Sequence, residues 1–206
     1  MTREADRRPL TMDDDLRVSD LPAHVSLTGR LLISPPQLGD PNFERSVVLM
    51  LAHNADGALG LVLNQPTTLA CREVVPSWED AICAPMNVFR GGPVETQAVI
   101  ALARTDRRGD DRPVWAWLFD EVGTVDLELG LDAFDAVGQV RVFAGYAGWG
   151  ALQLESELAG DGWYVVNALP GDAFTDDPAH LWANVLRRQR AELAKVALFP
   201  PDPSSN

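Results

Sequence analysis

Three histidines, His24, His53 and His180, are scattered along the chain. No two have the i,i+4 spacing that sets a pair of imidazoles on one helix face around a metal. His53 stands apart because it closes an apolar run of strand length. A ring there, facing a glycine across a strand pair, could reach open space and act as a general base. The same position suits a hairpin-end histidine bonded to a neighbouring carbonyl. The densest glycine segment follows the apolar run Val140 to Ala144: Gly145, Gly148 and Gly150, with Tyr146 and Trp149 between them. A polar-and-leucine stretch with helical spacing comes next. Strand, glycine loop and helix start, in that order, would aim free N–H groups at an anion. Read as a tight connection, the same loop is plugged by its two aromatics. Arg45 and Arg90 are candidate anion partners or members of structural ion pairs.

Other chemistry is excluded by what the motifs lack. There is no G-x-S-x-G elbow, no lysine-bearing phosphate loop and no full dinucleotide fingerprint. The sequence therefore names no catalytic residue, calls for no cofactor and offers no metal site. Cys71 and Cys83 match no zinc or redox spacing and read as reduced, partly buried thiols. Six acids and no base lie between Asp120 and Asp135, and without the glycine-centred spacing of a calcium loop they read as a solvated face. The net charge of −13 and pI near 4.5 disfavour direct nucleic-acid binding. Arg187, Arg188, Arg190 and Lys195 form a local basic patch, read either as a solvated helix end or as a DNA-contacting surface.

The elements that must position these groups are short. Ser46 to Ala52 and Ala58 to Leu63 are near-continuous apolar runs on both faces and flank Asp56-Gly57, a two-residue hairpin signal. That turn pairs His53 with Gly60 and Leu49 with Asn64. It leaves His53 and Asn64 on one face about 13 Å apart, opposite ends of a groove. Asn54 and Asn64 also suit turn capping. Further strands are expected at 98–103, 114–119, 124–129, 140–144 and 163–168. Helices are expected at 131–137, 151–158 and after Asp177-Pro178, with one turn at Asp40–Phe43. Fifteen prolines and sixteen glycines leave little room for long helices. The fold class is thus α+β: a single compact domain with a mixed, largely antiparallel sheet or partly open barrel and a few short helices packed on it. Residues 1–22 read as a mobile arm, 23–199 as the domain and 200–206 as a tail. No apolar run approaches the roughly 18 residues of a membrane span, so a cytoplasmic location is expected.

Several motifs together resemble the YqgE/AlgH family. They are Leu38 to Leu49, His53-Asn54, Gly60 to Asn64, Gly91 to Val94, Phe143 to Gly150 with Gln153 to Glu155, and Leu181-Trp182. The likeness runs from about Thr28 to Arg190. It implies a compact α+β fold with a β-rich core in the cytosol, and a regulator label that derives from a link to alginate gene control. No catalytic residues are agreed for the family, so none is carried over. Two departures stand out: Gln65 where many relatives have Arg before Pro66, and Ala151-Leu152 where many have Pro-Gly. A ligand use of that arginine or glycine in relatives does not carry over to this chain; with an architectural loop, Ala151-Leu152 extends the following helix by a turn.

These readings converge on a non-enzymatic regulatory or binding protein. It would take a small anionic ligand or a protein partner in a groove lined by His53, Asn54, Asn64, Arg45, Arg90, Gly145, Tyr146, Gly148, Trp149 and Gly150. Direct DNA contact and hydrolysis with His53 as base are the alternatives.

Overall fold

Val140 to Val142 and Phe143 are fully buried on both faces of one strand, and that strand is the spine of the molecule. The computed structural model describes residues 25–105, 115–134 and 137–200. The expected N-terminal arm, His24 and residues 201–206 of the tail lie outside them. The strands are β1 (Arg30–Ile33), β2 (Val47–Asn54), β3 (Gly57–Val62), β4 (Pro66–Ala70), β5 (Asn87–Arg90), β6 (Val94–Arg104), β7 (Trp115–Phe119), β8 (Val122–Val125), β9 (Gln139–Gly150) and β10 (Tyr164–Asn167). The helices are α1 (Cys71–Val74), α2 (Gln153–Ala159), α3 (Pro170–Ala173), α4 (Leu181–Arg187) and α5 (Ala191–Val196), with short 3₁₀ turns between.

The sheet order is β10-β1-β2-β3-β9-β6-β8-β7, with β4 and β5 paired beside it. On one edge β9 lies against β6. The other edge is shared end to end, by β3 near Gly150, by parallel β5 near Phe143 and by Ile82 at Val140. The sheet curls into a half-barrel, and the end of β7 comes back to the start of β1: a β-carbon on Gly29 would sit 3.2 Å from that of Phe119. Alternation along the strands divides the core. Leu31, Leu49, Leu61, Phe89, Leu102 and Phe143 face α4 through Trp182, Val185 and Leu186. On the opposite face, Val48, Met50 and Val62 meet α2 and Trp163, while Val88, Val140 and Val142 pack on Trp78.

The apolar hairpin is covered on both sides, as its sequence requires, but its register differs from the expected one. The turn falls on Ala55-Asp56, so His53 pairs with Ala58 and Leu49 with Leu61. Gly57 is taken into the ladder opposite Gly150, where a β-carbon would lie 2.2 Å from the Trp149 carbonyl oxygen. A bulge between Met50 and Ala52 adds a further residue of shift and turns His53 toward α2.

The glycine loop is the larger correction. Gly145, Gly148 and Gly150 all belong to β9, which continues through them as one twelve-residue strand. Along this segment β9 pairs with β6 as far as Tyr146 and with β3 from Ala147 to Gly150. Helix α2 starts only at Gln153, because Leu152 takes the left-handed conformation (φ 60°); Ala151-Leu152 does not extend the helix. Residues 127–129 and 131–133 form 3₁₀ turns instead of a strand end and a helix. Asp177 accepts from His180 Nδ1 rather than capping a helix.

Leu152 is 71% exposed, so its side chain offsets little of the left-handed strain. Leu152→Gly is expected to stabilise the protein by about 0.5–1 kcal/mol, read as a rise in Tm; an unchanged or lower Tm would contradict the strain.

Candidate functional site

The residues expected to line one groove are distributed over three places. His53 sits at the end of β2 with its side chain 10% exposed. Its Nδ1 accepts from the Leu27 amide at 3.1 Å, which fixes the proton on Nε2, and Nε2 donates to Glu155 Oε1 at 3.0 Å. Both ring nitrogens are therefore occupied, and the ring ties the entry to β1 onto α2. Asn54 accepts from the Asp56 amide inside the turn. Asn64 bridges the start of β2: it accepts from the Val47 amide and donates to the Arg45 carbonyl. Each asparagine thus does the backbone-capping job its type suggests.

Trp149 points into the core below α2, in a cluster with Phe43 and Trp163. Its indole N–H and that of Trp163 both donate to Glu157 Oε2 at 2.8 Å. Gln153 donates to the other oxygen of Glu157 while accepting from the Gly150 amide. Tyr146 is half-buried beside Glu95; desolvation first, and then the Glu95 carboxylate, push its hydroxyl above the usual range. Gly145, Gly148 and Gly150 lie in a strand where a bend was expected, and the Gly150 amide donates to Gln153.

The arginines survive as a surface constellation. The Asp40–Arg45 turn is closed by Asp40, whose Oδ1 accepts from the Asn42 amide and Nδ2. Arg90 Nη2 reaches Asn42 Oδ1 at 3.2 Å, and Gln65 Nε2 donates to the Asn42 carbonyl at 3.0 Å. Arg45 is a non-glycine residue at φ 46°. Its guanidinium lies 4.5 Å over the Trp182 ring and donates to the carbonyls of Phe199 and Pro200. Among the described residues neither guanidinium is paired with a carboxylate. The basic patch near the C-terminus is different: Arg188 grips buried Asp172 with both terminal nitrogens, and Lys195 pairs with Glu192.

One further group escaped the sequence reading. Arg141 interrupts the apolar run of β9, falls on the same face as Phe143, and is 2% exposed. Its Nη2 lies near Cys83 Sγ (3.0 Å), the Ala84 carbonyl (2.7 Å) and the Thr175 carbonyl (2.9 Å). The guanidinium carbon stands 4.3 Å over the Phe89 ring. Burial pulls the guanidinium below its usual range, with the Cys83 sulfur leading the groups that oppose this. A single arginine inside Val140–Phe143 was the signal available, since a buried strand seldom carries a charge without a reason. Both cysteines are free. Burial pushes the Cys71 thiol up to about 11 and raises Cys83 despite Arg141. Among the described residues no cluster of metal-ligating side chains forms.

The comparisons with known proteins fit this architecture. The sequence model of the AlgH-like family DUF179 matches residues 31–194. The chain belongs to the AlgH-like family. A UPF0301 protein of Streptomyces coelicolor is 48% identical over 185 residues, covering 88% of this chain and 96% of the relative. Another from Thermobifida fusca is 46% identical over 193 residues, with coverages of 88% and 96%. The crystal structure of protein DIP2367 from Corynebacterium diphtheriae superposes with a TM-score of 0.81 at 26% identity, covering 92% of this chain and all of that one. The solution structure of AlgH from Pseudomonas aeruginosa gives 0.62 at 26% identity, with 87% and 96% covered. No helix among the described residues is long and apolar enough to cross a membrane.

Two outcomes test this part of the AlgH-like chain. Glu157→Ala leaves two buried indole donors without their acceptor and should cost about 2–4 kcal/mol in urea unfolding; a loss below the scatter of surface mutants would refute the anchor. The folded Cys71 thiol binds its proton more tightly than the unfolded thiol at 9.0. Its contribution is therefore complete below pH 9 and lost as pH rises toward 11. Cys71→Ala should flatten that part of the stability–pH curve, and an unchanged slope would rule the thiol out.

Proposed function

We propose that this AlgH-like protein is a non-enzymatic, cytoplasmic binding protein with a regulatory role, whose ligand is a small anion met by Arg45 and Arg90 beside the Asp40–Arg45 turn. The anion can be free or carried as a phosphate or carboxylate on a partner protein. The observation that carries this reading is that, among the described residues, both guanidinium groups are held by neutral oxygens alone, in a chain of net charge −13. Guanidinium groups held in place, with their charge not compensated by a carboxylate, suit planar recognition of phosphate or carboxylate. The left-handed backbone of Arg45 adds to it, since strain of this kind collects where a side chain must be held in one pose.

The alternatives have less behind them. A general base at position 53 would need a free ring nitrogen, and His53 has both engaged. DNA contact through the C-terminal basic patch would have to compete with Asp172 for Arg188 and with Glu192 for Lys195.

Thermal shift of the full chain against inorganic phosphate, nucleotides and small carboxylates tests the proposal. A concentration-dependent rise in Tm is expected for at least one of them, weakened by added salt and lost in Arg90→Gln. No shift with any of these anions, or an equal shift in Arg90→Gln, would overturn it.

A further inference from the structure

Arg141 presents a separate problem, independent of the surface arginines. A guanidinium carries five N–H donors and stays protonated in proteins. The two donors of Nη2 are shared among Cys83 Sγ and the carbonyls of Ala84 and Thr175. Nε and Nη1, with the remaining three N–H groups, are buried and have no acceptor. No carboxylate touches the group among the described residues; Asp176, on the exposed loop after Thr175, acts on it only through space. Burial pushes the adjacent Cys83 thiol up, against its ionising to serve as a counter-ion. A buried charge with open donors is costly to leave unanswered, and in native proteins such groups generally find a water or an ion.

We infer that Arg141 is the floor of a second, internal binding site that takes a small monovalent anion of halide or formate size against Nε and Nη1. The neighbours define the class of ligand. The Phe89 ring lies against the guanidinium face and the main core packs around it, so a large or multiply charged ligand is disfavoured by desolvation. The Nη2 edge is the one nearest the surface: Ala84 is exposed, Cys83 and Thr175 are half-buried, and Nη2 is bonded to all three. Among the described residues Asp176 is the carboxylate that acts on the guanidinium through space, and its charge opposes binding of an anion there.

Thermal unfolding of the full chain in sodium bromide or sodium formate, against sodium gluconate at matched ionic strength, tests this. Gluconate is too bulky to be buried there. Wild type should gain several degrees in bromide or formate, rising with concentration. Arg141→Met should lose the gain, Asp176→Asn should enlarge it, and Arg90→Gln should leave it intact, which separates this site from the surface one. Should Arg141→Met not fold, bromide anomalous scattering from wild-type crystals replaces it, with a peak expected beside Nε or Nη1. A water at that position, an Asp176 carboxylate turned in to pair with Arg141, or equal melting in bromide and gluconate would overturn the inference.

Discussion

The whole arrangement depends on how closely other main chains approach β9. A β-carbon on Gly91 would lie 2.2 Å from the Gly145 carbonyl oxygen, and one on Gly92 would lie 2.2 Å from the Tyr146 carbonyl. Gly57 meets Trp149 in the same way. Only hydrogen at these Cα atoms lets β3 and β5 share one edge of a single strand while β6 takes the other. That sharing is what lets the sheet curl, buries Phe89 on Phe143 (ring centroids 5.9 Å apart), and leaves the segment after Phe89 threaded beside Ala144. The glycines are therefore sites of close approach, and the group that approaches is the protein's own backbone.

With the backbone so tightly committed, polar side chains divide into two populations. One closes the structure: His53 between Leu27 and Glu155, Asn64 across the start of β2, Glu157 beneath two indoles, and Arg188 on Asp172. These groups are matched donor to acceptor and have little capacity left for a ligand. The other population is the arginines that have no acid partner among the described residues. Arg45 and Arg90 are fixed on the surface by carbonyl, amide and aromatic contacts, and Arg141 is fixed in the core by a sulfur, two carbonyls and a ring. Among the described residues no carboxylate pairs directly with any of these three guanidinium groups.

Much of the framework was legible in the linear pattern. The two-sided apolar runs of β2 and β3 required cover on both faces, and they have it. The runs at β6, β7 and β10, and the start of β9, were found within a few residues. The turn after Asp40 and the apolar face of α4, with Leu181, Trp182, Val185 and Leu186 buried, also followed from residue type. Strands β1, β4 and β5 were not found. β4 and β5 are short and carry mixed polarity, and their pairing comes from distant partners that no local period reports. The hairpin register failed for a related reason: the Asp-Gly signal is local, whereas Gly57 is claimed by Gly150, far along the chain.

The sequence by itself determined the class of fold, the family, the strands with strong apolar period and the capping roles of the asparagines, because these depend on neighbours a few residues away. Tertiary structure alone decided that Gly145 to Gly150 is strand and not loop, that both nitrogens of His53 are occupied, and that Arg141 lies buried with open donors. Each of those outcomes is set by which backbone or side chain arrives from elsewhere, and hydrogen-bonding capacity is only assigned once the partners have been brought together.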